Sequence, residues 1–280
     1  RLHLEEDAGK NIHSEDPSKK LSYVDFNRTG VPLIEIVSEP DITTPDEAYE
    51  YLMNLKAILK YLQVSDCNME EGSLRCDVNV SLREKGTTAF GEKVEIKNLN
   101  SFRAVKLSLD YEIQRQTTML DDGERIVQET RLWDANRNLT YTMRSKEEAH
   151  DYRYFPEPDL PPMKIGSEMI EEIRSRMPEL PFEKRQRFIE QYDIPEYDSG
   201  VLTATFQMAN YYEKVIEHGA NAKRASNWIM SELMGKIADA EKIDEFPVNP
   251  GKLAELLKLV DNNTISGKIA KTVFDEMIST

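Results

Sequence analysis

Residues 155–166 read FPEPDLPPMKIG, and the prolines at 156, 158, 161 and 162 decide how the chain is divided. Proline fixes φ, lacks an amide donor and breaks helices, so this density predicts an extended linker. The hydrophobic period changes across it. Beyond it, 167–176, 181–192, 201–218, 221–240, 251–260 and 266–278 each repeat apolar residues at helical spacing, and Gly219 is placed to stop a helix. Before it, strands and helices mix. The expectation is an α+β protein with a mixed strand-and-helix domain at 1–165 and an all-helical domain at 166–280.

In the first domain, 74–82 (LRCDVNVSL) alternate with a period of two. Leu74, Cys76, Val78, Val80 and Leu82 face one way; Arg75, Asp77, Asn79 and Ser81 face the other. Residues 93–97 alternate likewise, and the turn-rich REKGTTAFGE between them predicts a hairpin. Residues 30–40 (GVPLIEIVSEP) read as a mostly apolar, buried strand. Thr44-Pro45-Asp46-Glu47 opens a helix whose apolar stripe is Ala48, Leu52, Leu55, Leu59 and Leu62. A further helix follows Ser101, with Phe102, Val105, Leu109 and Ile113 along one side.

The net charge of −15 argues against nonspecific nucleic-acid binding, which depends on cations that neutralise phosphates. No apolar run approaches the roughly 20 residues of a membrane span. Cys67 and Cys76 make neither a disulfide framework nor a zinc pair, so a reduced, cytoplasmic setting is expected. Phosphate-loop, dinucleotide, HExxH and GxSxG signatures are all missing.

The chain does place carboxylates unusually. Glu5-Glu6-Asp7 follow Leu2-His3-Leu4, and Glu35 lies inside an apolar strand, where it needs a cationic partner or a metal ion. Asp77 sits between Arg75 and Asn79 on a strand face that could equally be solvated. Ser101 is either a helix cap or part of an anion site, and His3 is either a ligand or incidental. Glu6, Glu35 and Asp77 are hard oxygen donors that suit Mg²⁺ holding substrate phosphates.

LHLEEDAGK at 2–10, DFNRTGVPLIEIVSEPD at 25–41, MEEGSLRCDVNVSLR at 69–83, KNLNSF at 97–102, QETRLWD at 128–134 and DYRYFPEPDLPP at 151–162 together resemble the B subunits of tRNA-dependent aspartyl/glutamyl amidotransferases. MPELPFEKR at 177–185 and SNWIM at 226–230 extend the resemblance into the helical part. It implies a cradle-like first domain and an ATP- and Mg²⁺-dependent ligase of protein biosynthesis. In such an enzyme the side-chain carboxylate of Glu on tRNA(Gln), or Asp on tRNA(Asn), attacks the γ-phosphorus of ATP. An amidase subunit then delivers ammonia to the acyl phosphate, and a small accessory subunit completes a heterotrimer. The resemblance assigns metal ligation to Glu6, Glu35 and Asp77. It makes Arg75 with Asp77 the catalytic residues, and Asn79, Lys97 and Ser101 the contacts to nucleotide or phosphate. Relatives carry a first strand with a Glu and a His for the same metal, and a tail domain, so the chain reads as a truncated member. The competing expectation is a noncatalytic tRNA-binding subunit, served by Lys223, Arg224, Lys236, Lys268 and Lys271.

Overall fold

The computed structural model describes residues 1–13, 21–145 and 161–279. These form two compact units, Arg1–Ala48 and Tyr49–Thr280. In the first unit, β1 (Leu2–Glu6) pairs antiparallel with β4 (Pro32–Ile36), and β2 (Lys10–His13) pairs antiparallel with β3 (Ser22–Asp25). The strand expected at 30–40 is there, but shorter and not buried: Ile34 is exposed, and so is the Glu35 side chain. The reason is that, among the described residues, the ribbon has two strands and no third, so pairing alone defines it.

α1 (Pro45–Tyr61) begins as its capping residues require. The Glu47 carboxylate accepts from the amides of Thr43 and Thr44 and from the Thr43 hydroxyl, while Thr44 Oγ1 accepts from the Glu47 amide. These bonds to the charged form hold the Glu47 carboxyl below its usual pKa. At the other end of α1, Tyr61 is fully buried and donates to the Thr203 carbonyl at 2.7 Å. Lys60 also pairs with Glu241.

The second unit contains a four-stranded sheet in the order β5 (Cys76–Val80), β6 (Val94–Leu99), β7 (Glu129–Asp134), β8 (Leu139–Ser145). β5 and β6 are the expected hairpin, antiparallel with Asn79 opposite Glu95. In the connection, Gly91 lies so close to Leu82 that a Cβ would fall 2.1 Å from its carbonyl oxygen, so only glycine fits. β6 and β7 run parallel because α2 (Phe102–Asp121) crosses between them. Ser101 caps α2, its side chain accepting from the Ala104 amide at 3.1 Å.

α2 packs on the sheet partly through polar residues. Glu112 is fully buried and accepts from Arg115 Nε at 3.0 Å, Gln116 Nε2 at 3.0 Å and Thr140 Oγ1 at 3.0 Å. Arg131 on β7 lies 3.4 Å from the same carboxylate and bonds to Glu129 at 2.7 Å. Glu112 and Glu129 thus balance Arg115 and Arg131, which is what lets charges sit between helix and sheet.

Beyond the proline-rich stretch every described element is helical. Of that stretch, 155–160 lie outside the described residues, and 161–166 form neither helix nor strand. α3 (Ser167–Arg176) and α4 (Pro181–Tyr192) match the periodic segments read from sequence. The run 201–218 is instead two helices, α5 (Glu196–Leu202) and α6 (Phe206–Glu217), because Thr205 starts a new cap by accepting from the Met208 amide. The run 221–240 becomes α7 (Ala222–Trp228) and a π-helical turn (Ile229–Leu233), after which the chain turns into a 3₁₀ segment (Ala240–Glu245). α8 (Pro250–Asp261) and α9 (Gly267–Ser279) complete the set. Gly219 ends the α6 region at φ +87°, its amide bonded to the Ile216 carbonyl.

The helical core buries Phe188, Leu202, Tyr211, Tyr212, Ile229 and Leu233. Phe188, Tyr192 and Tyr212 stack edge to face or tilted, at centroid separations of 5.1 to 5.6 Å. No described helix is long and apolar enough to cross a membrane.

Candidate functional site

Chemistry-bearing side chains gather in two places, one in each unit. In the ribbon, the register pairs His3 with Glu35, Leu4 with Ile34 and Glu6 with Pro32. Side chains alternate along a strand, so His3, Glu5 and Glu35 share one face while Leu2, Leu4, Glu6 and Ile34 occupy the other. His3, Glu5 and Glu35 each offer a ligand atom within 4.8 Å of the other two. His3 Nδ1 is 3.9 Å from Glu35 Oε2, and the Glu35 side chain is 52% exposed, so its carboxylate remains open to an incoming ion.

Glu6 was expected beside Glu35, but the alternation turns it to the reverse face and brings Glu5 there instead. His3, read as either ligand or incidental, sits directly across from Glu35. The signal that could have found it was the antiparallel pairing of LHLEE with PLIEI, which puts the histidine opposite the buried-looking acid.

The donor set fits a divalent cation. Mg²⁺ is usually held by one or two carboxylates and keeps several positions for water and substrate phosphates. Glu5 and Glu35 supply that, and the imidazole adds a nitrogen ligand that Mn²⁺ and Zn²⁺ also accept.

The second gathering lies on the polar face of the β5–β6–β7 sheet. The alternation of β5 is interrupted between Cys76 and Val78, so Asp77 sits at a register irregularity. Such bulges re-aim a side chain. Asp77 Oδ2 accepts from Lys97 Nζ at 2.7 Å, and Glu95 Oε1 lies 3.3 Å from the same nitrogen. Burial alone would lower the Lys97 pKa, but the hydrogen bond and charge of Asp77, with Glu95 behind it, outweigh burial and raise it. Glu95 is fixed from below by the buried Thr130 hydroxyl, which donates to its Oε2 at 2.8 Å.

Asn79 is exposed on the same strand, and Arg75, just before the strand begins, is exposed as well. The Ser101 hydroxyl is engaged in the α2 cap. Sequence reasoning missed Glu95 and Thr130, because β7 was not read as a strand and its register with β6 is what pairs them. On the opposite side of β5, burial pushes the Cys76 thiol up to about 11, with Asp77 adding to the shift.

Comparison with known proteins bears on both gatherings. A family described as the GatB/GatE catalytic domain matches residues 1–171, and a GatB domain matches residues 210–280. The B subunit of the aspartyl/glutamyl-tRNA(Asn/Gln) amidotransferase of Carboxydothermus hydrogenoformans is 56% identical over 281 residues, covering 100% of this chain. The corresponding subunits of Caldanaerobacter subterraneus subsp. tengcongensis and Leptospira biflexa are 57% and 54% identical, again over 100% of the chain. The chain spans 58% of the length of each of these relatives. A match to the catalytic domain over more than half the chain, with identities of this size, settles the kinship: the chain belongs to the GatB/GatE family.

Proposed function

We propose that this chain carries the activating step of a tRNA-dependent amidotransferase. In that step ATP phosphorylates the side-chain carboxylate of Glu on tRNA(Gln) or Asp on tRNA(Asn), ready for displacement by ammonia. The observation that carries the reading is the match of residues 1–171 to the GatB/GatE catalytic domain. The amidase and small accessory subunits, the heterotrimer and the cytoplasmic setting belong to the same proposal, as does a domain boundary at 165/166. That boundary lies inside the second compact unit, and a change of element type supports it.

Phosphoryl transfer depends on positioning and on neutralising charge on the transferred group. His3, Glu5 and Glu35 would hold a divalent cation, which supplies charge to the phosphate oxygens when bound. Lys97 stays protonated well above neutral pH, because Asp77 and Glu95 favour its charged form, and it offers a fixed cation to an anionic substrate. Glu95 acts through Lys97 and is a positioning residue. Asp77 is proposed both as a metal ligand and as a holder of Lys97, and Arg75 as the group that contacts the acyl phosphate. Asn79 and Ser101 are proposed as weaker nucleotide contacts.

The test is ATP-dependent phosphate release with mischarged tRNA, measured on the complete complex. Asp77→Asn keeps the shape and removes the charge, so turnover should fall by about a hundredfold or more while the melting temperature stays unchanged. Wild-type turnover by Asp77→Asn at limiting magnesium would return the solvated strand face as the better account.

A further inference from the structure

The face of the four-stranded sheet that carries Asp77 and Lys97 continues across β7 and β8. Paired residues project from the same face, so the register sets Lys97 on β6, Leu132 on β7 and Tyr141 on β8 side by side. Asp77 on β5 extends the row through the hydrogen bond it accepts from Lys97 Nζ. The reverse of the sheet fixes the same orientation independently. Arg131 and Thr140, the chain neighbours of Leu132 and Tyr141, bond to each other and reach Glu112 on α2. Alternation therefore turns Leu132 and Tyr141 away from α2, onto the face of Lys97.

The row changes character along its length. One end is charged, with Asp77 and Lys97. The other is apolar: Leu132 is half-buried, and the Tyr141 ring stands open, 46% exposed. Lys97 and Tyr141 lie two strands apart, which is about 10 Å across a sheet. A ligand that fills both ends has an anionic group and a flat ring about that far apart, and phosphates joined to a base through ribose have that form. The charges narrow the choice. Asp77 and Glu95 hold the Lys97 ammonium, so a bare phosphate would compete with both carboxylates for it. A phosphate that brings a divalent cation instead gives the half-exposed Asp77 carboxylate a new partner. A stretch of tRNA backbone fits less well, because it depends on many cations and the chain has a net charge of −15.

We propose that Tyr141 stacks on the base of the nucleotide whose phosphates lie at Lys97, with Leu132 forming the apolar floor between them. Aromatic side chains on a sheet face serve bases in this way because every base presents a π-face. The proposal rests on the activating-step reading and adds to it the residue that holds the base.

The test compares ADP with inorganic pyrophosphate, each with Mg²⁺, binding to the 280-residue chain by calorimetry. Pyrophosphate has the phosphates without the base, so ADP should bind more tightly. Y141A should weaken ADP about tenfold or more and leave pyrophosphate within about twofold of wild type. Y141F keeps the ring and should retain the affinity for ADP. Y141W should report the stack directly: ADP should quench its added fluorescence, pyrophosphate should not, and the wild type, with Trp133 and Trp228 alone, should show no such change. In the complete complex, Y141A should raise the KM for ATP about tenfold, with a smaller change in kcat and none in the KM for Glu-tRNA(Gln). ADP binding that Y141A leaves at wild-type strength, or pyrophosphate that binds as tightly as ADP, overturns the proposal and leaves the activating step standing. A raised KM for Glu-tRNA(Gln) with that for ATP unchanged also overturns it, and gives the ring to the terminal adenosine of the tRNA. A wild-type chain that binds neither probe removes the activating reading and the proposal together. If Y141A fails to fold, the fluorescence of Y141W decides alone.

Discussion

In the β1–β4 ribbon, Leu2 and Leu4 are each 58% exposed, whereas in the helical core Leu202 and Leu233 are 0% exposed. Charged groups differ in the same way. On the ribbon, His3 meets Glu35 at 3.9 Å, and both side chains remain largely open. In the helical region, Lys184 is buried against Glu213 at 2.6 Å, and Arg187 bridges Glu179 and Glu213 at 2.6 Å each. The Glu179 carboxyl lies below its usual range because the Arg187 guanidinium bonds its charged form. What the difference teaches is that a perturbed, fully partnered charge holds helices together, while an open cluster of acids keeps its valence for a ligand. Stability and candidate chemistry are therefore assigned to different residues.

That division can be broken most forcefully in the core. Phe188→Ala removes a ring with no exposed surface that touches Tyr192 and Tyr212, and it should cost about 3–5 kcal/mol by denaturant unfolding. Leu4→Ala on the ribbon should change stability by less than about 0.5 kcal/mol. Equal costs would erase the contrast.

Next in size is Glu112→Ala, which leaves Arg115 and Arg131 under-partnered beneath α2 and should cost about 3 kcal/mol. A loss below about 1 kcal/mol would mean that the polar network between α2 and the sheet contributes little.

The smallest effect concerns pH. Folding raises the Cys76 thiol from its ordinary value of 9.0 to about 11, so the folded state holds that proton more tightly. The contribution is fully present below pH 9 and is lost as pH rises from about 9 towards 11, by at most roughly 2–3 kcal/mol. Buried tyrosines titrate higher still, so the readout is the difference from Cys76→Ala, whose stability should fall less steeply over that window. Parallel curves would show that Cys76 does not report burial on that side of β5.

The sequence made some of this legible and hid the rest for identifiable reasons. α3 and α4 were read directly, because each has a clean apolar period and Pro181 marks the start of α4. The break between α5 and α6 was hidden, because the apolar residues on both sides keep helical spacing through Thr203–Thr205. β7 was missed because two of its buried residues, Thr130 and Arg131, are polar and point to opposite sides of the sheet, where their burial depends on Glu95 and Glu112 from other elements. At the ribbon site Glu35 stood out as an acid among apolar residues, but the choice between Glu5 and Glu6 depends on strand register. One residue of slip exchanges the two faces, and no local pattern in LHLEE fixes it.

The most direct measurement of the central claim is therefore Mn²⁺ binding by calorimetry, with Mg²⁺ as competitor, on the wild-type chain and on Glu5→Gln, Glu6→Gln and Glu35→Gln. The account predicts that Glu5→Gln and Glu35→Gln each weaken binding by about tenfold or more, the loss of one charged ligand, while Glu6→Gln binds within about twofold of wild type. Loss of binding in Glu6→Gln with Glu5→Gln unaffected would contradict it, and would mean that the face carrying His3 and Glu35 is not where the cation is held.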